Sequence, residues 1–220
     1  MARGLRLGGD HEDPALIASL VAGTLITGGG LALADVREAR TVTPFHAVEA
    51  HSAFEIFIEV GEEPKLELVG RSEALATVIS EVRDGVLTLR RKSTRGDSGS
   101  VQVHISTPTL DALETSGAVS VTARRLSGKS LDVEGSGATQ LTLAGKVEIL
   151  KMDLSGAAEV HALALEAARV SVDASGAADV KVRATEALDV DASGATSVRY
   201  AGAPKSVNTE TSGLSSVSPI

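Results

Sequence analysis

The sequence predicts an all-β chain, a single-stranded parallel β-helix (β-solenoid) wound from Ser-Gly-Ala rungs of about 19 residues. Three observations predict it. The tripeptide recurs as Ser116-Gly117-Ala118, Ser136-Gly137-Ala138, Ser155-Gly156-Ala157, Ser175-Gly176-Ala177 and Ser193-Gly194-Ala195, and ends as Ser212-Gly213-Leu214. Its serines lie 20, 19, 20, 18 and 19 residues apart, a period that signals stacked structural units. Apolar residues alternate on both sides of each tripeptide. Finally, there are 22 glycines, while aromatics are only 2%, namely Phe45, Phe54, Phe57 and Tyr200. Such a chain turns often and fills its core with Val, Leu, Ile and Ala, which suits closely opposed walls.

A degenerate copy lies upstream at His51-Ser52-Ala53. Three residues before the reference position stand Val48, Leu113, Val133, Met152, Val172, Val190 and Thr209, and five after it stand Ile56, Val121, Leu141, Val160, Val180, Val198 and Val217. Period two means extended strands with alternate side chains inward. The Gly supplies a backbone conformation that a Cβ resists, and the small Ala is expected inside the corner. Two short strands cannot bury their own apolar face, but stacked copies about 4.8 Å apart can. A helical solenoid would need period 3.6 over ten or more residues, which these stretches lack.

The segment Glu73 to Val82 reads as helical, a short excursion near 72–83. Strands are expected around Val86–Leu89 and Val101–Ile105. The expected organisation is a signal peptide or membrane anchor at 1–34, then one β-helix domain at 35–220. Its first rung is 41–60, the excursion 61–109 and the regular rungs 110–220.

From Ala15 to Ala34 run 20 residues without a charge, after Arg3 and Arg6. Ala32-Leu33-Ala34 presents small residues where a signal peptidase reads, so a cleaved export signal is the first reading. Asp10, Glu12 and Asp13 weaken it, and an uncleaved anchor of this length would just span a bilayer. Arg37 and Arg40 after the segment balance the arginines before it, giving no firm orientation. Either reading places the remainder outside the cytoplasm: periplasm, outer envelope or extracellular space.

The formal charge of −8, from 21 basic and 29 acidic residues, argues against nucleic acid. The absence of Cys excludes disulfides, thiolate metal sites and Cys nucleophiles.

Thr43-Pro44-Phe45, Asp84-Gly85-Val86-Leu87 and the iterated Ser-Gly-Ala-x-x-Val resemble the head GIN domain family of auto-transporter adhesins, from about Arg40 to the end. The family pattern has Asp just before that Val. Asp179 matches and Glu159 is close, whereas Ser120, Gln140, Ser197 and Ser216 depart. The resemblance implies a right-handed β-helix, bacterial export and no described catalysis.

Gly96-Asp97-Ser98-Gly99-Ser100 looks like the active-serine stretch of trypsin-like proteases, and His51 and Asp84 precede it in the right order. A Ser nucleophile needs a positioned base and an oxyanion hole on a rigid scaffold; a polar loop in Arg95–Ser100 is the expectation. The repeat serines lack the flanking glycines of a nucleophile elbow and read as corner residues bonding their own backbone. His11, His46, His51, His104 and His161 show no ligand-like spacing. No catalytic residue and no cofactor is expected.

Two residues before each corner stands an acid: Glu49, Glu114, Glu134, Asp153, Asp173, Asp191 and Glu210. Alternation points this position outward, so stacking makes an acidic ladder. Like charges about 5 Å apart repel by roughly 0.8 kcal/mol per pair in water. A solvated face that discourages lateral association is the plain reading; a divalent-cation ladder is the sharper one. Six residues after the corner lie Phe57, Thr122, Thr142, His161, Lys181, Arg199 and Ser218, without the carboxylate pair or aromatic platforms of a solenoid glycosidase.

These features predict a non-catalytic exported protein that presents a surface for adhesion or scaffolding, with a protein or glycan partner at the envelope. A polysaccharide-acting enzyme and a self-assembling structural protein are the alternatives. The polar last copy and Pro219 favour a monomer or weak oligomer over a filament.

Overall fold

The computed structural model describes residues 35–92 and 99–220. Residues 1–34, where an export signal or anchor is expected, and Ser98 of the protease-like stretch lie outside them. The described chain is nearly all strand: β1 (Val36–Arg40), β2 (Ala47–His51), β3 (Phe54–Val60), β4 (Lys65–Gly70), α1 (Ser72–Leu75), β5 (Val78–Arg83), β6 (Val86–Arg91), β7 (Val101–Thr107), β8 (Ala112–Gly194), β9 (Ser197–Ala201), β10 (Ser206–Thr211) and β11 (Ser216–Pro219). Among the described residues no helix is long and apolar enough to cross a membrane.

The strands form one mixed sheet whose main path is β1-β4-β7-β3-β8-β2-β6-β5, with β9, β10 and β11 joined to the β8 side. Three of its pairings are antiparallel: β1 with β4, β4 with β7, and β5 with β6. The sheet curls like a half-barrel, and one side chain of β1 reaches β5 at the other end of the path. Arg40 of β1 donates from Nη1 to the Val78 carbonyl (2.8 Å) and Ser80 Oγ (3.0 Å) of β5, and from Nη2 to the Leu75 carbonyl (3.3 Å) of α1. The expected right-handed parallel β-helix is therefore overturned in favour of a curled mixed sheet. The reason lies in 61–109. There the chain reverses through tight connections, and antiparallel strands need only short turns. Asp84 (φ 50°) and Gly85 (φ 80°) make such a turn between β5 and β6, with both central residues left-handed as a two-residue hairpin requires.

The expected excursion is not set apart from the repeats. β6 pairs in parallel with β2, placing Leu87 beside Val48 and Leu89 beside Ala50. β7 pairs in parallel with β3, placing Val103 beside Ile56 and Ile105 beside Ile58. On their other sides β2 and β3 meet the start of β8, Val48 beside Leu113 and Ile56 beside Val121. The helix expected near 72–83 is confined to Ser72–Leu75, because Thr77, Val78, Ile79 and Val82 are β-branched and favour strand.

From Ala112 onward the 19-residue periodicity governs register. Thr209 of β10 lies beside Val190, and Val198 of β9 beside Val180, both in parallel. The Ser-Gly corners sit on one another: a Cβ built on Gly137 would lie 2.6 Å from the Gly117 carbonyl oxygen. With φ at +90° as well, Gly137 admits no other residue without strain.

One apolar core fills the interior, and the positions three before and five after the corner belong to it in every copy but the last, where Thr209 is exposed and Val217 half-buried. Val48, Leu113, Val133, Met152, Val172 and Val190 are buried, as are Ile56, Val121, Leu141, Val160, Val180 and Val198. The alanine after each Ser-Gly, expected inside, is instead exposed at Ala118, Ala138, Ala157, Ala177 and Ala195. The residue following it turns inward: Val119, Thr139, Ala158, Ala178 and Thr196. Buried hydroxyls are satisfied locally, as burial requires. Thr107 Oγ1 donates to the carbonyl of Phe45 (2.7 Å) or of Thr109 (2.9 Å), and Thr196 Oγ1 to that of Ser193 (3.0 Å).

Candidate functional site

The candidate surfaces are the two outward faces of the stacked strands. On the first, alternation puts the acid two residues before the corner outward; both its neighbours are buried from Glu49 to Asp191 and exposed at Glu210. Glu49 and Glu114 are half-buried, while Glu134, Asp153, Asp173, Asp191 and Glu210 are exposed. Register brings Glu49 beside Glu114 and Asp191 beside Glu210. Asp132 joins Glu49, Glu114 and Glu134 around a small cavity of about 160 Å³. Glu49 accepts a hydrogen bond from Thr88 Oγ1 (3.1 Å). Among the described residues no group of three or more acids or histidines has an arrangement able to hold a metal ion.

The corner serines Ser116, Ser136 and Ser155 bond a neighbouring copy instead of their own backbones. Ser136 Oγ donates to the Thr115 carbonyl and Ser155 Oγ to the Gly135 carbonyl, each at 3.5 Å, so they reach one repeat back. His51, the corner residue of the first copy, places Nδ1 2.7 Å from Ser116 Oγ, with Glu49 Oε2 3.9 Å from its Nε2. This Ser-His-Glu row is a ladder contact across neighbouring strands. Its acid is beyond hydrogen-bond reach of the ring, and catalysis needs an oriented base. Asp84 stands at the opposite end of the β2–β6 pairing from His51, which faces Arg90, so the protease-like order of residues does not assemble.

The second face carries the positions four and six after the corner. Opposite charges cluster here across and along the strands. Arg199 Nη2 contacts Asp179 Oδ2 at 2.9 Å, Lys181 lies 3.7 Å from Asp179, and His161 Nε2 is 2.9 Å from Glu159 Oε1. At the β4 end the row becomes aromatic. Phe57 and His104 stack with ring centroids 5.0 Å apart and planes 14° from parallel. Sequence spacing could not pair them, because His104 belongs to a strand inserted between the first copy and its successors.

Beside His104 opens a groove of about 430 Å³, lined by Ala39, Arg40, Thr41, Val42, Pro64, Lys65, Leu66, Glu67, His104 and Ser106. Its acids and arginines are largely spoken for. Arg37 Nη1 binds Glu67 Oε1 at 2.6 Å, and Arg40 Nε binds Glu38 Oε1 at 2.9 Å. Two further pairs fasten the surface elsewhere. Hydrogen bonding to Arg125 holds the Glu62 carboxyl below its ordinary value and raises the Arg125 guanidinium. Hydrogen bonding to Lys146 does the same to Glu166.

Two solved structures resemble the chain to different degrees. One described as a putative adhesin from Bacteroides fragilis superposes with a TM-score of 0.70 at 19% identity, covering 86% of this chain and 98% of its own. Another putative adhesin, from Parabacteroides merdae, gives a TM-score of 0.47 at 16% identity, covering 85% and 96% respectively. No curated protein matches the chain. The family described as "Putative auto-transporter adhesin, head GIN domain" matches residues 44–204, which span β2 to the turn after β9, and the chain belongs to that family.

Proposed function

We propose that this chain is a non-catalytic, exported surface protein that uses the outward faces of its stacked strands for adhesion or scaffolding at the cell envelope. The observation that carries the reading is the regular outward display. Register aligns like positions of successive copies into rows, an acidic row on one face and a charge-paired row on the other. Such rows give an extended, repetitive surface of the kind that repeat proteins use for binding. The family's adhesin description and the adhesin description of the Bacteroides fragilis structure agree with it. The partner is a protein or glycan, and the chain acts as a monomer or weak oligomer.

The test is surface protease treatment of intact cells expressing the full chain, coupled to an attachment assay. The reading expects the chain to be cleaved from outside and attachment to fall with it. Retention in the cytoplasm, or turnover of a polysaccharide panel by the purified chain, would overturn it.

A further inference from the structure

The groove beside His104 has the lining of a ligand site rather than of a packing gap, and we propose that it binds a carboxylated saccharide, one acidic pyranose at a time. At about 430 Å³ it falls within the range of small-molecule sites, of order 300–1,000 Å³. Its charge is the first argument. Glu67 is neutralised by Arg37 and Arg40 by Glu38, and Lys65 makes no ion pair within 4 Å among the described residues. Glu62, the carboxylate that senses Lys65 through space, is itself bonded to Arg125, so on a chain whose net charge is −8 Lys65 remains available to a ligand anion.

The rest of the lining selects for a sugar. Ala39, Val42 and Pro64 give an aliphatic wall, and the His104 ring adds a flat surface. Phe57 stacked behind it fixes the ring's orientation. Thr41 and Ser106 supply hydroxyls, and Glu67 supplies an acceptor. A pyranose offers the complement: apolar C–H faces, a rim of hydroxyls and, in an acidic sugar, one carboxylate for Lys65. Apolar lining with a few convergent polar groups is the usual composition of such sites.

This goes beyond the adhesion reading, and its failure would leave that reading standing. The full chain is titrated with methyl glucuronide and, separately, with N-acetylneuraminic acid, following the His104 ring protons by NMR and the heat by calorimetry. Saturable binding of either acid is expected, weakened at least tenfold by Lys65→Ala and by His104→Ala. Lys146→Ala, which removes a lysine paired with Glu166 outside the groove, should leave it unchanged. Binding of methyl glucoside as strong as that of the glucuronide would overturn the proposal. So would equal binding of plain acetate, no binding of either acidic sugar, or insensitivity to Lys65→Ala.

Discussion

Ser52 occupies the corner position that later copies give to glycine, and it adopts φ of 103° against 95° at Gly117 and 90° at Gly137. A residue with a Cβ in that region is strained by roughly 1–3 kcal/mol. Ser52→Gly should therefore stabilise the protein by about 1 kcal/mol, after the greater unfolded-state freedom of glycine is subtracted. An unchanged or lowered urea midpoint, at constant slope, would refute this. Gly137→Ala tests the same corner from the other side. Its new Cβ must enter the space 2.6 Å from the Gly117 carbonyl oxygen, and the backbone cannot give way without disturbing the neighbouring copy. A loss of about 2 kcal/mol or more is expected, read as a lower midpoint in the same assay.

At the scale of strands, the acidic row is held together against its own repulsion by the core beneath it. Asp173 is exposed and occupies the row between Asp153 and Asp191. Asp173→Asn should raise Tm slightly at low salt, by up to about 1 kcal/mol of stability. The advantage should shrink as added NaCl screens the row. Calcium should leave Tm of the wild-type chain unchanged, because a strand-borne row lacks the converging carbonyls and loop ligands that calcium needs; a calcium-dependent rise would establish the cation-ladder reading instead. The paired carboxylates behave differently. Glu62 and Glu166 are lowered from the ordinary 4.5 by their basic partners. Their contribution is present above the unfolded-state value and is lost as pH falls through the lower folded-state one. Replacing Glu166 with Gln should flatten the decline in stability on acidification below about pH 4.5, which pH-dependent thermal unfolding would detect. The contribution is small, since both pairs are exposed.

For the whole molecule, the decisive contact is Arg40. One guanidinium joins β1, at one end of the sheet path, to β5 at the other and to α1 between them. Hydrogen bonds to a charged donor contribute roughly 1.5–3 kcal/mol, so Arg40→Ala should cost about 2 kcal/mol and loosen β1 and β5 together. Hydrogen exchange would show faster exchange at both strands; a change confined to β1 would refute the bridging role. Arg40→Lys should recover little, because a point charge cannot reach three acceptors in a fork.

How much of this was legible beforehand differs element by element. The strand positions around each corner followed from alternation alone, since residues such as Val133 and Leu141 have only the interior available to them. The outward acids followed from the same parity. The exposure of Ala118 and its counterparts did not, because a small residue is compatible with either side of a corner. Nor did the end of the helical reading at Leu75: Glu73 to Val82 contains good helix formers, and pairing with β6 decided for strand. The groove was invisible because its walls come from β1, β4 and β7, with the segments flanking β1 and β4.

The sequence by itself determined the repeat, the buried rows, the outward acids and the family, because each depends on local spacing and side-chain chemistry. Tertiary structure decided the rest. Antiparallel returns within 61–109 turn a row of repeats into a curled mixed sheet, and Arg40 links its β1 end to β5. Strand pairing across long separations is set by which edges become available in space, and only the folded chain brings Lys65, Glu67 and His104 to one groove.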